Sequence, residues 1–210
     1  MVRVLAVLVV LLAPLAARAE PDRARTQAAM QDYFAGEQRG GYVLLGMGLG
    51  GMVAGGLLYR SSSATARGAS YPLLGVGLLH VAAGVYIKLA SASRADDFTD
   101  QIAKDPQAFV TAERTRMAGV STQLTALKVV EVVLIAGGLT MAGIGHRTDR
   151  PRLKGVGLAL AFEASLTLGF DIFAARRAHT YRDELAAVDV QASLGPADHP
   201  TLLVIHTGTF

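Results

Sequence analysis

The chain of 210 residues has no cysteine, no tryptophan and no asparagine, and only 18% of it is charged. Without cysteine there is no disulfide scaffold, thiolate metal site, cysteine nucleophile or lipoprotein anchor. Without asparagine there is no N-glycosylation acceptor. Soluble domains run nearer to about 25% charged. A chain that is 51% hydrophobic with a mean hydropathy of +0.37 fits a water-soluble globule poorly. The formal net charge is +3, yet the basic residues flank apolar runs and do not interleave with aromatics. That pattern speaks for a membrane and against nucleic acid. No Walker A loop, HExxH, GxSxG or kinase signature is present. Gly46-x-Gly48-x-x-Gly51 has the letters of a dinucleotide fingerprint. It lies inside an apolar run with no strand before it, so it is set aside. Nothing specifies an enzyme, a catalytic residue, a cofactor or a metal.

Residues 1–19, MVRVLAVLVVLLAPLAARA, have the form of a secretory signal peptide. Arg3 supplies the positive start, Val4 to Ala13 the apolar stretch, Pro14 the break, and Ala17-Arg18-Ala19 the cleavage site. An uncleaved anchor is the alternative. Both place Glu20 outside the cytoplasm.

Four further apolar runs follow, at about 41–59, 71–90, 124–145 and 153–174. A helix needs about 20 residues to cross the hydrocarbon, and these runs lack the alternation of a barrel strand. The expected fold is all-α: a membrane four-helix bundle over residues 41–190. Loops 60–70 and 146–154 hold six Lys/Arg against one acid, Asp149. The segments 20–40, 91–122 and 175–210 hold ten Lys/Arg against thirteen Asp/Glu. The positive-inside bias therefore puts both termini of the mature chain in the periplasm of a bacterial inner membrane.

Three short matches in the same order suggest two repeated helical hairpins. Ala54-Gly-Gly-Leu57 recurs as Ala136-Gly-Gly-Leu139, and Gly75-Val-Gly-Leu78 as Gly155-Val-Gly-Leu158. Arg94-Ala95-x-x-Phe98-x-Asp100-Gln101-Ile102 recurs as Arg177-Ala178-x-x-Tyr181-x-Asp183-Glu184-Leu185. No breaker separates Ser91 from Lys104, so the second helix should continue into the periplasm until Asp105-Pro106 turns the chain. An apolar stripe from Phe109 to Leu127 then leads into the third span as the periplasmic extension 91–122 returns. Residues 175–190 extend the fourth helix likewise. The periplasmic segment 20–40 is either a matching helix or a solvated linker. The tail 191–210 contains Thr201 to His206, which could pack on the bundle, form an edge strand or fray.

Ionisable residues inside the spans are the candidate binding site, because charges there are costly unless paired or hydrated. Counting along the helices places Lys88, Lys128 and Asp171 near the outer boundary, Glu131 a turn deeper, and His80 and Glu163 near the midplane. Lys128 and Lys88 are expected to meet Glu131 and Asp171. His80 and Glu163 could share a proton between the second and fourth helices. Gly46, Gly50, Gly51 and Gly55 have small-xxx-small spacing and are expected to pack helices closely. The implied partners are the lipid bilayer and, beyond it, a second copy or another membrane or periplasmic protein. The function expected is a structural or interaction module presenting a periplasmic helical platform. A small proton-coupled transporter or solute-binding membrane protein using His80 and Glu163 is the alternative.

Overall fold

The structure is a computed structural model that describes residues 22–194. The expected signal peptide and most of the tail lie outside the described residues. Four long helices account for nearly all of it: α1 (Arg23–Tyr59), α2 (Ala64–Lys104), α3 (Pro106–Arg147) and α4 (Pro151–Leu194). Each start has a local cause. The Asp22 carboxylate accepts from the Ala24 and Arg25 amides, the Ser63 hydroxyl from Ala66, and the Asp105 carboxylate from Ala108. Such N-caps satisfy amides that have no partner within the helix. Asp105 is the sole residue between α2 and α3, with Pro106 opening the second of them. Residues 23–40 are helical and continuous with the first apolar run, so the matching helix holds there and the solvated linker does not.

The inner turns are shorter than the sequence suggested. The loop expected over 60–70 contracts to 60–63, because Ser63 caps a helix that already includes Pro72 in its third turn. The turn after α3 spans residues 148–150. Asp149 takes a left-handed φ of 50° there, and the Arg150 amide bonds the Gly145 carbonyl at 2.8 Å. That is a Schellman closure, with Pro151 starting the next helix.

Helices of 37 to 44 residues are about 55–65 Å long, roughly twice the hydrocarbon thickness. All four contain a stretch long and apolar enough to cross a membrane. α1 packs on α2, α3 on α4, and the two hairpins join mainly through α2 and α4. Their contacts run through glycine. A Cβ on Gly48 would lie 2.5 Å from the Gly77 carbonyl, and one on Gly138 2.7 Å from that of Gly157. α2 and α4 touch at their starts, where a Cβ on Gly155 would overlap the Thr65 carbonyl.

The two halves of the bundle bury opposite things. In the half holding the start of α1, the Asp105 turn and the end of α4, Met30, Phe34, Ile102, Val110, Met117, Tyr181 and Leu185 form one closed apolar core. Phe98 and Ile102 of α2 enter this core beside Tyr181 and Leu185 of α4. In the other half the large apolar side chains point outward. Val53, Leu57, Leu79, Val133, Phe162 and Phe173 are among the many left exposed there.

Candidate functional site

The inward face of α4 carries Glu163, Thr167 and Asp171, four residues apart and therefore stacked on one side of the helix. α2 presents His80 to this line and α3 presents Glu131. His80, Glu131, Glu163 and Asp171 are all buried, within helix stretches otherwise built of apolar residues.

His80 and Glu163 meet. The imidazole Nδ1 lies 3.8 Å from Glu163 Oε2, and Nε2 lies 3.0 Å from Thr167 Oγ1. The Thr167 hydroxyl donates its single hydrogen to the Glu163 carbonyl at 2.9 Å. Its oxygen can then only accept, so Nε2 must be the N–H that donates to it. A neutral His80 thus turns a bare Nδ1 toward a carboxylate, and that nitrogen has no other partner. The two groups face each other at a separation longer than a hydrogen bond. The other Glu163 oxygen lies against α1, where a Cβ on Gly51 would come within 3.2 Å of it.

A second buried pair sits about two turns farther along α4. Glu131 of α3 and Asp171 of α4 lie in electrostatic range of each other, with Lys128 in range of both. His80 is in electrostatic range of Asp171, so the two pairs belong to one polar line. Lys88 does not join it. Its ammonium lies over the Tyr42 ring at 4.7 Å, a contact between α1 and α2.

Asp171 also lines a cavity of about 200 Å³ at the junction of the two halves. Tyr33, Glu37, Ser91, Arg94 and Arg177 contribute its polar surface. Glu37 accepts from the Tyr33 and Ser91 hydroxyls, each at 2.7 Å. Above it, Tyr33 stacks on Tyr181 with ring centroids 4.5 Å apart. Burial, with the nearby Glu37 carboxylate, pushes the Tyr33 phenol well above its usual value. Burial and Glu113 do the same to Tyr181. Glu113 is buried and takes two hydrogen bonds from Arg116, at 2.6 and 2.7 Å, and the guanidinium also faces the rings of Phe34 and Phe98.

The four glycines singled out in α1 divide. Gly51 and Gly55 face α2, where Cβ atoms would approach the Leu73 carbonyl and the Leu74 side chain. Gly46 and Gly50 have nothing within 4 Å beyond their missing Cβ atoms and lie on the outer surface. Their place against α2 is taken by Gly41 and Gly48, which the spacing rule passed over. Thr167, Glu37, Ser91 and Arg177 were also missed. For Thr167 the available signal was its step of four between two acids on the same helix.

Among the described residues no group of three or more His, Asp or Glu is gathered as metal ligands would be. Comparison with known protein families, curated proteins and solved structures finds no match to this chain.

Proposed function

We propose that the chain is a multi-pass protein of a bacterial inner membrane, built from two repeated helical hairpins, with both ends of the mature chain in the periplasm. Its role is structural: it presents a stiff helical platform on the periplasmic side to another membrane or periplasmic protein. The observation that carries this is the closed core of the outer half, formed by the same four helices whose other halves expose apolar side chains. A bundle that is sealed outside the lipid and oily within it transmits position and offers surface, and it does so without a catalytic constellation.

Reporter fusions test the arrangement. Fusions at Ser63 and Asp149 should report from the cytoplasm and one at Asp105 from the periplasm. Photo-crosslinkers at Thr111 and Arg182, on the exposed α3–α4 surface of the outer half, should then yield a discrete protein adduct in cells. If they give only lipid adducts or none, the platform role fails.

The buried facing of His80 and Glu163, with Thr167 beside them, supports a second reading, a small proton-coupled or solute-binding membrane protein. Its requirement is sharp. Liposomes containing the protein should dissipate an imposed pH gradient faster than empty ones, and Glu163→Gln should abolish the difference.

A further inference from the structure

A groove of about 400 Å³ follows the seam between α1 and α4 on the outside of the bundle. Its two ends differ in chemistry. Asp32, Arg39 and Arg177 surround one end, while Val43, Met47 and Phe173 line the other. From Asp32 to Met47 the helix rises about 22 Å. A bilayer with its headgroups is about 40–45 Å thick, so the groove is as long as one leaflet is deep. The division into a charged part and an oily part is that of a phospholipid.

The walls are prepared for an occupant. Gly40 lies in the seam beneath Phe170 and Arg177, where a Cβ would already be in van der Waals contact with both and a larger side chain would fill the space. Arg177 donates Nη1 to the Gly36 carbonyl at 2.7 Å, and its guanidinium carbon lies 5.9 Å from the centre of the Phe173 ring. These contacts hold the cation at the head of the groove, and its buried Nε has no partner. Arg39 is exposed beside it. Asp32 in the groove and Glu37 on the inner side of Arg177 balance the two guanidinium groups, as a zwitterionic headgroup would require, and a guanidinium fork matches the oxygens of a phosphate. Val43 and Phe173 are 53% and 65% exposed, so an apolar chain would cover them.

We infer that this groove holds one glycerophospholipid of the periplasmic leaflet, its phosphate between Arg39 and Arg177 and an acyl chain along Val43, Met47 and Phe173. This rests on the membrane reading of the preceding section. Asp32 sits where the ammonium of an ethanolamine headgroup would reach it.

The test is native mass spectrometry of the full chain purified in mild detergent, followed by rebinding from phosphatidylethanolamine and phosphatidylglycerol after delipidation. One phospholipid per chain is expected to be retained. Arg39→Gln should weaken rebinding at least five-fold. Gly40→Leu should block it while the helices keep their melting temperature. If Gly40→Leu does not fold, the Arg39→Gln comparison alone decides. Inorganic phosphate at millimolar concentration should not displace the lipid. Equal rebinding by all variants, displacement by phosphate alone, or a detergent-requiring protein that takes up no phospholipid would each overturn the groove assignment. A chain that stays monomeric in water without detergent would overturn the membrane reading itself, which separates the two failures.

Discussion

At the scale of single residues, the Glu163 side chain distinguishes holding a shape from holding a proton. In Glu163→Gln the amide can donate to the bare Nδ1 of His80, so the contact survives without a titratable group. That variant should accumulate and melt like the parent. His80→Ala leaves Thr167 and Glu163 without their partner and should cost about 1–3 kcal/mol, measured by thermal unfolding in detergent. The outer half has its own titration. Burial holds the Tyr33 and Tyr181 phenols above their ordinary pKa of 10.0, so the folded state favours the neutral phenols. Their contribution is fully present below pH 10 and is lost as pH rises above it, because the unfolded chain then ionises first. Phenolate absorbance should appear late and coincide with loss of helix. Immediate ionisation on entering that range, with the helices intact, would contradict the buried placement. The sequence marked His80, Glu163, Glu131, Lys128 and Asp171 because charge inside an apolar run is conspicuous. Thr167 and Ser91 are ordinary residues in a helix, and their roles depend on what lies across from them. Lys88 was conspicuous for the same reason and was paired wrongly, since counting gives depth along a helix and not the direction in which a side chain points.

At the scale of helices, the glycines divide into those that meet a neighbouring helix and those that do not. Gly48→Ala forces a methyl to within 2.5 Å of a backbone carbonyl, which cannot move aside as a side chain would. It should destabilise the α1–α2 hairpin by about 1–3 kcal/mol. Gly46→Ala meets open space and should be neutral within error in the same melting assay. Asp105→Ala removes the cap between α2 and α3 and should cost about 1 kcal/mol. The Asp105-Pro106 turn was legible because capping and proline act within a few residues. The length of the loop after α1 was not, because Pro72 reads as a boundary signal while the helix tolerates it within its third turn.

Along the whole molecule the four helices pass from a half with a closed apolar core to a half with many exposed apolar side chains. If lipid surrounds the half that exposes Val53, Leu79, Val133 and Phe173, the chain should resist carbonate extraction from membranes. A protease added outside should be unable to cut the tight turns at 60–63 and 148–150. Recovery in the carbonate wash would remove the physical reason for that exposed surface. The sequence by itself determined that there are four long oily helices, where the chain reverses at Asp105 and which positions inside the apolar runs carry charge. Those are properties of short stretches, set by composition, capping and proline. Only the tertiary structure decided that α2 and α4 join the hairpins, that His80 meets Glu163 while Lys88 meets Tyr42, and which glycines face a partner. In an apolar span the side toward lipid and the side toward protein are equally hydrophobic, so periodicity does not distinguish inside from outside, and contact across distant parts of the chain settles it.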